Sequence, residues 1–197
     1  NDSITANTSF HIASTSKTFT AMGVLYLVQK NKLSLSDSLQ KFFPSFPYKS
    51  ITVQMLLSQR TGLPNYMNTM DKLGWNKKKR VTNQNVLDFF SAQQPDLYYT
   101  SGARFNYSNT NFVLLALIIE KTSGMSYKNF MAETFFKPLQ MNNTFVFEWE
   151  DSATVTPSYR WNGEKEKLDW LDETAGDKNI YSTTRDLLKW DQALYTD

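Results

Sequence analysis

The sequence contains no cysteine. Disulfide frameworks, zinc–thiolate centres and cysteine nucleophiles are therefore excluded. It contains a single histidine, His11. A metal site built from several histidines is ruled out, and a Ser-His-Asp triad would have to use that one residue. Charge of one sign is scarce as well. The formal net charge is +2, and the local basic run Lys77-Lys78-Lys79-Arg80 reads as a solvated loop or helix end. With no arginine-rich face and no zinc pattern, nucleic acid is not an expected partner. The longest apolar run, Phe112 to Ile119, falls far short of the roughly 20 residues that span a bilayer. No Gly-x-Gly-x-x-Gly or Walker-type loop follows a predicted strand, so a nucleotide has no support. Internal repeats and low-complexity blocks are absent too.

Aromatic residues, by contrast, are plentiful: 14 Phe, 10 Tyr and 5 Trp in 197 residues. Each large ring buries much area, so one sizeable core is within reach of a chain of this length. The periodicity is mainly helical. A first helix is expected over about 14–30, with Phe19, Met22, Leu25 and Val28 on its buried face and Asn31 in the left-handed position that ends it. A short helix is expected over 37–43, with Ser36 as N-cap and Pro44 as stop. Thr52 can cap a helix over 53–58, which breaks at Thr61-Gly62-Leu63-Pro64. Thr82 or Asn83 opens one through Phe90. Residues 95–107 read as loop. Asn109 caps a strongly apolar helix to about Lys121, ended by Gly124, and Ser126 caps the next, to about Phe136. The stretch 144–170 alternates enough for one or two short strands. Thr183 and Asp186, three apart, open a last helix in the manner of a capping box. The organisation read from this is one partial domain over 1–197, with a nucleophile helix at about 14–30, a helical part at about 36–175 and a returning helix at about 183–195.

Two places carry residues fit for chemistry. In Ser14-Thr15-Ser16-Lys17, residues three apart share a helical face, so the Ser14 hydroxyl and the Lys17 amine can meet. A serine hydroxyl needs a base to become a nucleophile. A lysine amine is a base only in its neutral form, which burial favours. The positive end of a helix favours negative charge developing on Ser14 and on an attacked carbonyl. The second place is Tyr107-Ser108-Asn109, on a loop before the apolar helix. Tyr107 can point its phenol into a cleft and shuttle a proton. Asn109 can orient Lys17, bind a substrate amide, or simply cap. Either motif alone is common; a plain N-cap and a core tyrosine are the ordinary readings. Lys121-Thr122-Ser123-Gly124 has catalytic-looking letters but sits where a helix ends, and reads as capping chemistry. His11, three residues before Ser14 at a strand end, reads as a partly buried structural residue.

Phe10 to Ala21, with Ser14-Thr15-Ser16-Lys17 at its centre, resembles the nucleophile segment of the class C β-lactamase-like serine hydrolases. That family includes β-lactamases, penicillin-binding proteins, D-alanyl-D-alanine carboxypeptidases, D-aminopeptidases and esterases. The resemblance continues through Ile51 to Leu57 and Thr61-Gly62-Leu63-Pro64. It is densest from Phe105 to Thr144, and ends with Ser182-Thr183-Thr184, Asp186-Leu187 and Trp190. It implies the β-lactamase/transpeptidase-like fold: α+β, a sheet flanked by helices plus an all-helical domain. This chain would hold the predominantly helical share. Ser14 would form an acyl-enzyme, with its N–H as one oxyanion donor. Lys17 and Tyr107 would exchange protons, and Asn109 would position Lys17 or the substrate. The substrate would be a small molecule or peptidoglycan-like: a β-lactam, a D-amino-acid peptide or an ester. No cofactor or metal is implied. Gln59 stands where many relatives carry histidine and Ser101 where many carry proline; neither is a reacting group. The family's third motif, Lys-Thr-Gly or His-x-Gly on a strand, is expected beyond Asp197, and its opening strands before Asn1. The setting implied is periplasmic or extracellular in a bacterium, free or membrane-anchored through a preceding segment. Without the sheet, the Ser14 helix would expose an apolar face, to be covered by self-association or a complementary chain. Two other readings stand beside this: a non-catalytic ligand-binding or sensor module of the same fold, or an inactive fragment lacking the third motif. A helical interaction domain with no site would require both motifs to be coincidental.

Overall fold

The computed structural model describes residues 3–195. At its centre lies α6 (Asn109–Ser123), buried without a break from Thr110 to Ile119. A helix that is apolar all round has to be enclosed by other elements. Here the enclosure is made by α1 (Ser16–Gln29), α3 (Val53–Leu57), α4 (Tyr66–Lys72), α5 (Asn83–Gln93) and α7 (Tyr127–Met131), all packed against it. Gly124, at φ +74°, ends α6 in the left-handed conformation expected of it. The short α2 (Leu39–Phe42) adds Leu39 and Phe42 to the same core.

A small antiparallel sheet flanks the helices, in the order β1 (Phe10–His11), β3 (Ile180–Ser182), β2 (Phe145–Val146). Phe10 pairs with Ser182 and Phe145 with Tyr181. The sheet joins the start of the chain to the region before the last helix, α8 (Thr184–Ala193). Phe19 of α1 stacks on Trp190 of α8, with ring centroids 4.1 Å apart, so α8 returns against α1.

Several helix starts stand where the sequence places them. Thr52, Thr82, Ser126 and Thr183 each accept a main-chain N–H three residues on. Other expectations are corrected. Of the expected face of α1, Phe19 is buried and Met22 and Val28 are half-buried against the core, but Leu25 is exposed; the buried side is Ser16, Lys17, Phe19, Thr20, Gly23, Val24 and Leu27. A strict three-residue repeat slips about 60° per step around a helix of 3.6 residues per turn, so those four cannot share one face. Polar Ser16 and Thr20 take places on the buried side because each is hydrogen-bonded: the Ile180 N–H donates to Ser16 Oγ at 3.1 Å, and Thr20 Oγ1 donates to the Gly176 carbonyl at 2.6 Å. Gly23 lets Met131, Ile119 and Phe130 pack directly on the helix backbone.

The short second helix begins after Ser38, not Ser36, and Ser38 makes no side-chain cap. Ser108, not Asn109, occupies the N-cap position of α6, again without a side-chain cap. The Thr183 box closes on one side only, because the Asp186 carboxylate turns to the Asn143 N–H and the Thr144 hydroxyl. Helix α4, capped by Asn65, and strand β3 carry no expectation from the sequence. After Met131 the helix widens into a π-turn over Ala132–Phe136. Among the described residues no helix is long and apolar enough to cross a membrane.

Candidate active site

Strand β1 leads into a single tight turn, Ala13–Thr15, before α1 begins. The turn is pinned at both ends. The Ile12 N–H donates to the Ile180 carbonyl at 3.0 Å, and the Thr15 N–H returns to the Ile12 carbonyl at 3.0 Å. Ala13 is held at φ +45°, a conformation a residue with a side chain adopts only when its surroundings impose it. The result presents Ser14 at the surface, with Lys17 one turn behind it and buried.

The three expected reacting residues converge. Lys17 Nζ lies 3.1 Å from Ser14 Oγ, and the Tyr107 hydroxyl lies 2.9 Å from the same oxygen. The Lys17 amine also stands 5.0 Å from the centre of the Tyr107 ring and 5.7 Å from that of Phe112. Its second hydrogen-bond partner is the main-chain oxygen of Asp177, at 2.6 Å. A neutral amine has two N–H groups and one lone pair. It can donate to Asp177 and still present the lone pair to the Ser14 proton. The orientation of Lys17 is thus set by a main-chain carbonyl, a partner whose identity no side chain advertises in the sequence.

Asn109 stands differently. Its Nδ2 donates to Met67 Sδ at 3.2 Å, its buried Oδ1 has no partner, and no hydrogen bond joins it to Lys17. Lys121 lies in the last turn of α6, and its amine donates to the Phe42 carbonyl, away from Ser14. His11 accepts the Asn179 N–H at 3.3 Å and lies beside Tyr181; burial pushes its imidazole below the ordinary histidine value.

Asp177 is a site residue that sequence reading missed. It is fully buried. The Tyr66 hydroxyl donates to its Oδ2 at 3.0 Å, while Oδ1 has no partner. Burial pushes the Asp177 carboxyl above the ordinary carboxylate range, with Lys178 and Lys17 pulling the other way. The same burial pushes the Tyr66 phenol well up. An acid whose pKa rises on folding binds its proton more tightly folded than unfolded. Its contribution to stability is whole below the ordinary value of about 4 and is lost as pH rises through the raised one. Asp177→Asn keeps a neutral side chain at every pH. Its thermal midpoint is expected to fall less than that of the unmodified protein as the pH is raised above about 4. Equal slopes in the two proteins would show that folding does not raise the carboxyl as its burial requires.

Comparison with known proteins bears on this arrangement. Residues 1–196 match the family described as Beta-lactamase. The chain belongs to that family. Penicillin-binding protein 4* of Bacillus subtilis (strain 168) is 35% identical to it over 207 residues, covering 97% of this chain and 46% of that protein. A penicillin-binding protein from Bacillus halodurans has the same fold, with a TM-score of 0.82 and 26% identity over 97% of this chain and 60% of its own. The D-amino acid amidase of Ochrobactrum anthropi SV3 gives 0.80 and 29%, over 98% of this chain and 58% of its own. The beta-lactamase/transpeptidase-like fold expected from the sequence is therefore the fold of the chain. The chain spans less than half the length of the Bacillus subtilis relative.

Proposed function

We propose that this chain carries the nucleophile-bearing part of a serine acyl hydrolase, with Ser14 as nucleophile. The observation that carries the reading is the convergence of a buried amine and a phenol on one exposed hydroxyl, at 3.1 and 2.9 Å. A nucleophile within hydrogen-bond reach of a base that is itself oriented by a third group is the arrangement covalent catalysis needs. Here the orienting group is the Asp177 carbonyl.

The chemistry runs as follows. Neutral Lys17 takes the Ser14 proton as Oγ bonds to the substrate carbonyl carbon. The oxyanion forms next to the Ser14 N–H at the start of the turn. Tyr107 passes a proton to the departing nitrogen or oxygen and is reprotonated from Lys17. In the second half a water molecule attacks the acyl-Ser14 ester, giving up its proton through the same two groups, and the carboxylic acid leaves. The resemblance gives Asn109 a role in binding the substrate amide; its buried Oδ1 is an acceptor without a partner. The substrate is an amide or ester of the kind that similarity to penicillin-binding proteins and a D-amino acid amidase suggests: a β-lactam, a D-amino-acid amide or peptide, or a small ester.

Intact-mass spectrometry tests this. After incubation with a fluorophosphonate, and separately with a penicillin, the chain is expected to gain one adduct that Ser14→Ala does not form. A folded sample in which neither reagent adds mass would overturn covalent catalysis by these residues in this chain and leave the binding-module and inactive-fragment readings. Penicillin labelling would favour the lactam and D-peptide branch over simple esters.

A further inference from the structure

We propose that Gln59 is a positioning residue that fixes the Tyr107 phenol against Ser14, an inference that rests on the roles just given to Ser14, Lys17 and Tyr107. Gln59 holds the Tyr107 backbone from both sides. Its main-chain oxygen accepts the Asn106 N–H at 2.8 Å, and its side-chain Oε1 accepts the Ser108 N–H at 2.9 Å. The two amides that flank Tyr107 therefore end on one residue.

That residue is itself well anchored. It closes α3 in the left-handed conformation, at φ +57°, with its N–H on the Leu56 carbonyl. Its side chain is buried. Oε1 also accepts Asn111 Nδ2 from the first turn of α6, and Asn111 Oδ1 in turn accepts the Thr61 hydroxyl at 2.6 Å. The direction of the Gln59 carboxamide is thus set by a chain of buried hydrogen bonds between α3 and α6. Tyr107, in contrast, is 47% exposed. A ring with so little packing around it is placed mainly by its backbone, and Gln59 is what holds that backbone. A displacement of about 1 Å in a reacting group can cost on the order of a hundredfold in rate.

Only the acceptor end of the carboxamide is used. Gln59 Nε2 is buried without a partner. The groups that meet Oε1 are both uncharged, and the neighbouring Arg60 turns its guanidinium to the Gly102 and Ala103 carbonyls. A replacement that only accepts should therefore serve. A replacement that accepts only while neutral should serve only above its own pKa.

The test compares the unmodified chain with Gln59→Met and Gln59→His. Fluorophosphonate labelling is followed by intact mass from about pH 5 to about pH 9, and the hydrogen exchange of the Ser108 amide by NMR. Gln59→Met is expected to label roughly 10- to 100-fold more slowly. Its Ser108 amide should exchange faster, while the core amides of α6 keep their protection. Gln59→His is expected to label well at high pH and to gain a new loss below about pH 6.5, where an imidazole protonates and ceases to accept. A purely structural role would move stability without adding that acid limb. Labelling of Gln59→Met at the unmodified rate, or an unchanged Ser108 amide, would overturn the proposal. Should Gln59→Met fail to fold, a Gln59→His profile with no acid limb would overturn it instead. If the unmodified chain never labels, the Ser14 reading fails, and Ser108 exchange still decides whether Gln59 holds the loop.

Discussion

Lys17→Met is expected to slow covalent labelling of Ser14 by roughly 10²- to 10⁴-fold, the range that a general base contributes. Methionine keeps most of the buried stem beneath the Tyr107 and Phe112 rings, so the loss would be chemical more than steric. What disappears is the amine hydrogen-bonded to Ser14 Oγ and the donor to the Asp177 carbonyl. The second loss leaves a buried carbonyl unpaired, at a cost of about 1–3 kcal/mol, so the thermal midpoint should fall as well. Labelling rate and thermal midpoint are therefore measured together. Tyr107→Phe, which removes the phenol at the exposed rim, is the companion variant: it should lower the rate with little effect on the midpoint. Labelling of Lys17→Met at the unmodified rate would remove Lys17 from the mechanism and leave Ser14 dependent on Tyr107 alone.

Gly176→Ala should damage both the stability of the protein and the site around Lys17. Gly176 stands at φ +95°, and a Cβ there would lie 2.5 Å from the Phe112 carbonyl oxygen and 2.7 Å from the Ala116 Cβ. Both belong to the enclosed α6, which cannot move aside. Backbone strain and overpacking act together, and a loss of about 3–5 kcal/mol is expected. The damage should not stop at stability. The next residue supplies the carbonyl that orients Lys17, and the Gly176 carbonyl itself accepts the Thr20 hydroxyl on α1. Urea unfolding measures the first effect and fluorophosphonate labelling of the folded fraction the second. Gly163→Ala separates the two physical causes. Gly163 has a similar φ of +82° but nothing within 4 Å of an added Cβ, so only the conformational cost applies there. Equal losses in the two variants would mean that close approach to α6 is not what Gly176 provides.

Much of the site was legible because its chemistry is local. Ser14 and Lys17 are three residues apart on one helical start, and that spacing alone brings amine to hydroxyl. Thr52, Thr82, Ser126 and Thr183 announce their helices for the same reason: a cap is satisfied by an N–H three residues away. Gly124 ends α6 where an apolar run stops and only glycine turns left-handed cheaply. Reading failed where a residue's partner is distant or has no side chain to reveal it. Asn109 was given a cap it does not make, since the α6 start is held instead by Gln59 and Asn111 across the core. Gln59 reads as a non-reacting position in the sequence, although its acceptor atom holds the loop that carries Tyr107.

The sequence by itself determined the Ser14–Lys17 spacing, the enclosed central helix, the helix starts at Thr52, Thr82, Ser126 and Thr183, and the family, because these depend on periodicity, capping and short motifs that act over a few residues. Tertiary structure alone decided which side of α1 is buried and that Asp177 orients Lys17 through its main chain, and it brings Tyr107, as the family resemblance implies, to Ser14 from 93 positions away in the chain. The physical reason is the same in each case. A main-chain carbonyl carries no residue signature, and a hydrogen bond between distant segments exists only once packing around α6 has brought them together.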